Sequence, residues 1–242
     1  MMKMMTNELK SNSNLEKVLK NGHFAFTGEL GPPRGTNVEA VKEKAKHLKG
    51  NVDMVNITDN QTAMVRLSSW ACSLLAIKEG LEPNFQLTCR DKNRLAMQAD
   101  ILGIDSCGIN NILALSGDHQ KFGDHPNAKG VYDIDSIQLV AMIKKMRDDG
   151  LFQGGEELDG APRLFIGAAA NPFAEPFEWR VHRLAKKVEA GIVYLKGKLY
   201  WGFLAKYNLK FHHNKDTPSG YGNLRRLSDI LDAHDLYRNE GS

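Results

Sequence analysis

Four apolar segments of this chain each end on a polar residue, and the ends recur at almost constant spacing: Glu29, Thr58, Thr88 and Asp118 lie 29, 30 and 30 residues apart. Each segment has the length of a strand and is followed by a polar turn and a stripe of helical period. Residues 23–29 read as the first strand, stopped by Gly-Pro-Pro. Thr36 and Glu39 have the spacing of a capping box, and Val38, Val41, Ala45 and Leu48 continue as a helical stripe closed by Gly50. Residues 53–58 predict a second strand, with Met64, Leu67, Ala71, Leu74 and Leu75 on its helix. The third unit pairs 85–88 with Leu95, Ala99 and Leu102; the fourth pairs 112–115 with Leu139, Met142, Ile143 and Met146. The fifth pairs 164–168 with Val181, Leu184, Ala185 and Val188, ending at Gly191. Such a series predicts an α/β fold with a parallel sheet and crossover helices.

An open doubly wound sheet and a closed barrel both satisfy that pattern, and the strand ends decide between them. A barrel assembles its site from all the βα loops, so it needs a polar group at the carboxyl end of every strand. A doubly wound domain concentrates its chemistry in one Gly-rich turn, and neither G-x-G-x-x-G nor G-x-x-x-x-G-K-[ST] occurs here. The expectation is a (β/α)8 TIM barrel, incomplete at five to six βα units. Composition agrees with one domain, or two small ones: 242 residues, 42% hydrophobic and 25% charged. No stretch reaches the roughly 18 apolar residues of a membrane helix, and the start lacks the apolar core of a signal peptide, so a soluble, unsecreted chain is expected. The three cysteines, Cys72, Cys89 and Cys107, form no CxxC pair, which favours a reducing cytoplasm. A net charge of +3 from 32 basic and 29 acidic residues gives no argument for nucleic acid.

Glu29 in FTGELGPPR ends a strand at a mouth that could be partly dry, which would push its pKa upward and suit a general acid; a salt bridge to Arg34 is the alternative. Asp118 in ALSGDH ends another, or belongs to an ordinary turn. His119, Asp124 and His125 can be drawn as a metal cluster, but loop histidines facing solvent or substrate fit better and no metal is expected. The amides and hydroxyls of 56–63 either cradle a ligand or cap the next helix. Cys89 beside Arg90 has no neighbouring His to act as its base, which argues against a nucleophile.

Together the strings FTGELGPPRG, VNITDNQTAMVR, QLTCRDKNRLAMQADILG, NILALSGDHQKFGDHP, YDIDSIQL, LFIGAAANPF and RLAKKVEAG resemble the methylenetetrahydrofolate reductase family, in the branch of acetogens and related anaerobes. The resemblance covers 23–191 and implies a barrel that binds flavin, FAD ahead of FMN, at its carboxyl-terminal mouth. It implies reduction of 5,10-methylenetetrahydrofolate, with electrons from NAD(P)H or a partner subunit, and leaves an oligomer open. Glu29 matches the family's general acid and Asp118 the carboxylate near flavin and pterin. Thr58, Gly117, Tyr132 and Lys187 match flavin-contact positions. Gln86, Ser116 and Asn171 fall where the best-known bacterial branch has His, Arg and Tyr.

The chain is thus expected to divide into an extension (1–22), the barrel (23–191) and an unmatched tail (192–242), with 192–195 able to serve as a sixth strand. A shifted reading frame, a truncation or a barrel-completing partner would each account for the tail. The alternative to an active reductase is a truncated, inactive or partner-dependent barrel fragment. The tail is expected to pack poorly on the first five units and to contribute no flavin or folate contact.

Overall fold

The computed structural model describes residues 9–170, 176 and 178–196. Six strands, β1 (Thr27–Glu29), β2 (Met54–Ile57), β3 (Pro83–Thr88), β4 (Asn111–Leu115), β5 (Phe165–Ala169) and β6 (Tyr194–Lys196), form one sheet in sequential order. Every neighbouring pair is parallel. The helices are α1 (Asn14–Lys20), α2 (Glu39–Leu48), α3 (Ser69–Lys78), α4 (Arg94–Ser106), α5 (Ser136–Asp149) and α6 (Glu178–Ala190). Sequential parallel order with a helix after each of the first five strands is the wall of a βα barrel, seen here for six strands.

Side-chain alternation along each strand separates two environments. Phe85, Leu87, Cys89, Ile112, Ala114, Ile166 and Ala168 pack outward with Met97, Ile101 and Ile104 of α4 and Leu139, Val140, Ile143 and Met146 of α5. Val55 and Ile57 do the same with Val41 and Ala45 of α2 and Cys72 and Ala76 of α3. The opposite register, Met54, Leu113, Phe165 and Tyr194, meets in a separate inner cluster. Gly50, Gly80 and Gly150 turn with positive φ just past α2, α3 and α5, where the pattern stopped them.

Three local expectations change. Helix α2 starts at Glu39 with no side-chain cap from its N-cap Val38, so the Thr36–Glu39 box does not form; Asn37 Oδ1 accepts from Glu39 N instead. On α4 the buried stripe is Met97, Ile101 and Ile104, whereas Leu95 is 74% exposed. Both sets have helical spacing, and only contact with the sheet selects one. Helix α3 begins at Ser69, capped by Ser68, so Met64 and Leu67 precede it.

Residues on either side of the sequence-defined barrel (23–191) belong to its core. Leu15 of α1 is fully buried with Ala25, Met54, Leu113, Phe165 and Tyr194, closing the amino-terminal end of the strands. The Glu82 carboxylate, just before β3, accepts from Asn14 N at 2.6 Å and Leu15 N at 3.0 Å and fastens the helix there. Poor packing after residue 191 is contradicted for the residues described. Ile192 joins the outer core at 2% exposure, and Tyr194 is fully buried. The Tyr194 ring stacks on Phe165 at 5.0 Å and lies over Gly167, where a Cβ would overlap it. Its hydroxyl donates to Asn84 Oδ1 at 2.7 Å, Asn84 Nδ2 donates to Asn56 Oδ1 at 2.9 Å, and Asn56 Nδ2 donates to Gly28 O at 3.1 Å. This buried chain links β6 to β3, β2 and β1 through the interior. The reason is strand alternation: pairing Tyr194 beside Gly167 turns its ring inward. Residues 197–242 lie outside the described residues.

Candidate active site

Glu29, Thr58, Thr88 and Asp118 all end or follow strands of one parallel sheet, so they gather at its carboxyl-terminal rim. The inward register carries a polar ladder toward that rim: Asn56 on β2 and Thr58 just beyond it, then Asn84, Gln86 and Thr88 on β3, each buried. Glu29 and Asp118 are both exposed, so Glu29 does not have the partly dry setting expected from sequence. Arg34 pairs with Asp124 at 2.5 Å rather than with Glu29.

The β2 and β4 loops are fastened to each other. Thr62 N donates to Asp118 Oδ2 at 3.0 Å, and Val65 N donates to Asp124 Oδ1 at 3.2 Å. Gly123 lies directly on Ala63, where a Cβ would overlap the Ala63 carbonyl, so only glycine fits. Asn60, Thr62 and Ala63 have φ of 42°, 58° and 58°. The left-handed region is costly for a β-branched Thr and persists only where surroundings enforce it. These residues therefore brace the mouth; α3 has its own cap in Ser68, which removes the helix-capping alternative for 56–63.

Sequence reasoning missed two residues here. Asp59, 9% exposed, accepts from Thr88 N and Thr88 Oγ1, both at 2.9 Å, and burial pushes its pKa upward. Arg90, 3% exposed, makes a two-pronged bond to Asp91 at 2.7 Å on each arm. It also reaches Asp118 O at 3.0 Å and Asn60 O at 3.2 Å. The available signal was register: Arg90 continues the inward series 84, 86, 88.

Of the remaining candidates, Gly117 sits against Thr88 and Arg90. Tyr132 has φ 41°, and its hydroxyl donates to Asp118 O at 3.5 Å. Ser116 Oγ donates to Ser136 Oγ at 3.2 Å, at the start of α5. Lys187 on α6 donates to Ala169 O at 2.6 Å, and burial lowers its pKa to about 8. Asn171 lies outside the described residues. Among the described residues, His119, Asp124 and His125 do not form a metal-holding group.

Cys89 is fully buried and burial pushes its thiol up to about 12, so Arg90 does not activate it. Cys72 is also buried, and only Cys107 of the three is exposed. Iodoacetamide should therefore alkylate Cys107 in the native protein and all three thiols after denaturation; mass spectrometry of the peptides checks this. Native labelling of Cys89 would contradict its burial.

The chain has the architecture of a barrel enzyme whose polar groups converge at the carboxyl-terminal mouth. The sequence profile of methylenetetrahydrofolate reductase matches residues 14–213, most of the chain and wider at both ends than the motifs that run from 23 to 191. The chain belongs to the methylenetetrahydrofolate reductase family, whose fold is a TIM barrel. A comparison with individually curated proteins gives no match. Membership supports a reductase-type function in folate one-carbon metabolism, in a family that is generally flavin-dependent. Among the described residues no helix is long and apolar enough to cross a membrane.

Proposed function

We propose that this chain reduces 5,10-methylenetetrahydrofolate to 5-methyltetrahydrofolate at the barrel mouth, with a flavin, FAD rather than FMN, between electron donor and folate. The observation that carries the reading is the pair of carboxylates Glu29 and Asp118 on one rim, above the inward polar ladder of Thr58, Gln86 and Thr88. The donor set also fits a flavin: Thr58 Oγ1 is buried with no hydrogen-bond partner among the described residues, a vacancy costing about 1–3 kcal/mol unless a ligand fills it.

Thr58 and Gln86 would hold the polar edge of the flavin, and Lys187 its phosphate. The bound flavin supplies the hydride. Glu29 gives its proton to the ring nitrogen that departs as the imidazolidine opens. The Asp118 carboxylate then faces the cationic iminium, and its attraction lowers the barrier. Because Thr62 N already holds Asp118 Oδ2, little reorganisation is required during the reaction.

The test is direct. Purified protein should show flavin absorbance, heat should release FAD on chromatography, and the dithionite-reduced protein should be reoxidised anaerobically by methylenetetrahydrofolate. Asp118→Asn should slow that reoxidation by on the order of 10²-fold. Bound flavin with no response to folate would overturn the reading.

The Lys187 assignment carries a pH dependence. Its pKa is lowered to about 8, so the free protein loses this charge as pH rises through that value. Flavin phosphate binds the charged form, so affinity should fall above about pH 8, and Lys187→Met should be weak and flat across the range. A wild-type affinity constant from pH 7 to 9.5, by equilibrium titration, would remove Lys187 from the phosphate.

A further inference from the structure

We infer that Arg90 is the positioning residue of the mouth: its guanidinium sets the place of Asp118 by holding the main-chain carbonyls of Asp118 and Asn60 on one planar fork. The inference rests on the proposed role of Asp118 and adds to it a residue that acts through the placement of Asp118.

The geometry is a closed ring. One Arg90 nitrogen donates to Asp118 O at 3.0 Å, and another donates to Asn60 O at 3.2 Å. Two residues beyond Asn60, Thr62 N donates to the Asp118 carboxylate at 3.0 Å. Both ends of the bond that aims Asp118 are therefore tied to the same side chain. Asp91 fixes the fork through Arg90 Nε and a terminal nitrogen, and Asn60 Nδ2 braces Asp91 at 3.4 Å.

Burying a charge at 3% exposure is a poor route to stability, since well-packed apolar residues generally do as well. What apolar residues cannot do is hold two carbonyls on different loops at fixed separation. The left-handed backbone at Asn60, Thr62 and Ala63 needs such a restraint, because it would otherwise relax. Lysine is no substitute: its ammonium is a point charge without the planar fork.

The test compares Arg90→Lys with wild type by two readouts. Hydrogen exchange of the purified protein should quicken by on the order of tenfold in peptides spanning 60–66 and 118–125. Reoxidation of the dithionite-reduced protein by saturating methylenetetrahydrofolate, per bound flavin, should slow by roughly 10- to 100-fold, the scale of a misplaced catalytic group. Half-saturating folate should move by less than about threefold. Wild-type exchange overturns the inference. So does faster exchange with an unchanged rate, which is a structural role only, or a rate loss recovered by more folate. Should Arg90→Lys fail to fold, Asp91→Asn loosens the fork while leaving Arg90 in place, and the same outcomes apply. Asp118→Asn separates the two layers: a wild-type rate there removes the role of Asp118, while exchange in Arg90→Lys still decides whether the guanidinium holds the loops.

Discussion

Replacing Glu29 by Gln should reduce methylenetetrahydrofolate turnover by roughly 10²- to 10⁴-fold, the usual contribution of a positioned proton donor. The substitution keeps the shape of the side chain and removes its acidic proton. Glu29 is exposed at the end of β1 whereas Thr58 and Gln86 are buried, and the substitution is isosteric, so flavin content should stay at the wild-type level. Steady-state turnover and the visible spectrum of the same preparation measure both. A variant retaining more than about a tenth of wild-type activity would assign the proton to another group.

The second large effect is on folding. Tyr194→Ala should cost about 3–5 kcal/mol for the lost aromatic volume, and about 1–3 kcal/mol more because the Asn84 carbonyl loses its donor. Against a total stability of about 5–15 kcal/mol, that is enough to unfold much of the population or move the urea midpoint by roughly 1–3 M. Tyr194→Phe keeps the stack on Phe165 and removes only the hydroxyl, so it should lose about 1–3 kcal/mol. Urea titration followed by circular dichroism distinguishes the variants. An unchanged midpoint for Tyr194→Ala would mean that residues beyond 191 are dispensable to the core.

The strand positions were legible because each short apolar run ends in a turn, and the rim because polar residues end those runs at regular spacing. Which face of a helix meets the sheet was less so. On α4, Leu95–Ala99–Leu102 and Met97–Ile101–Ile104 have equally good spacing, and the second is buried. Helix α1 leaves little signal in the sequence because it is short and follows polar residues; its docking depends on Glu82, more than sixty residues away. In the sequence Arg90 stands out only as a neighbour of Cys89. Two of its bonds go to main-chain carbonyls 28 and 30 residues distant, and a carbonyl leaves no mark in a sequence. Tyr194 falls in the tail by motif because the motifs stop at 191, although strand period allows 192–195 to form a sixth strand.

The Tyr194–Asn84 bond spans 110 residues of chain, so it also has a place in time. A ribosome adding about 5–20 residues each second needs roughly 5–20 s to travel from one partner to the other. Through that interval the emerging chain holds Asn84 and Asn56 without the donor that closes their link across the interior, and Gly167, when it appears, still lacks the ring that covers it. This link across the interior thus forms only after β6 has emerged, and the first five strands must stay clear of one another's copies until it does.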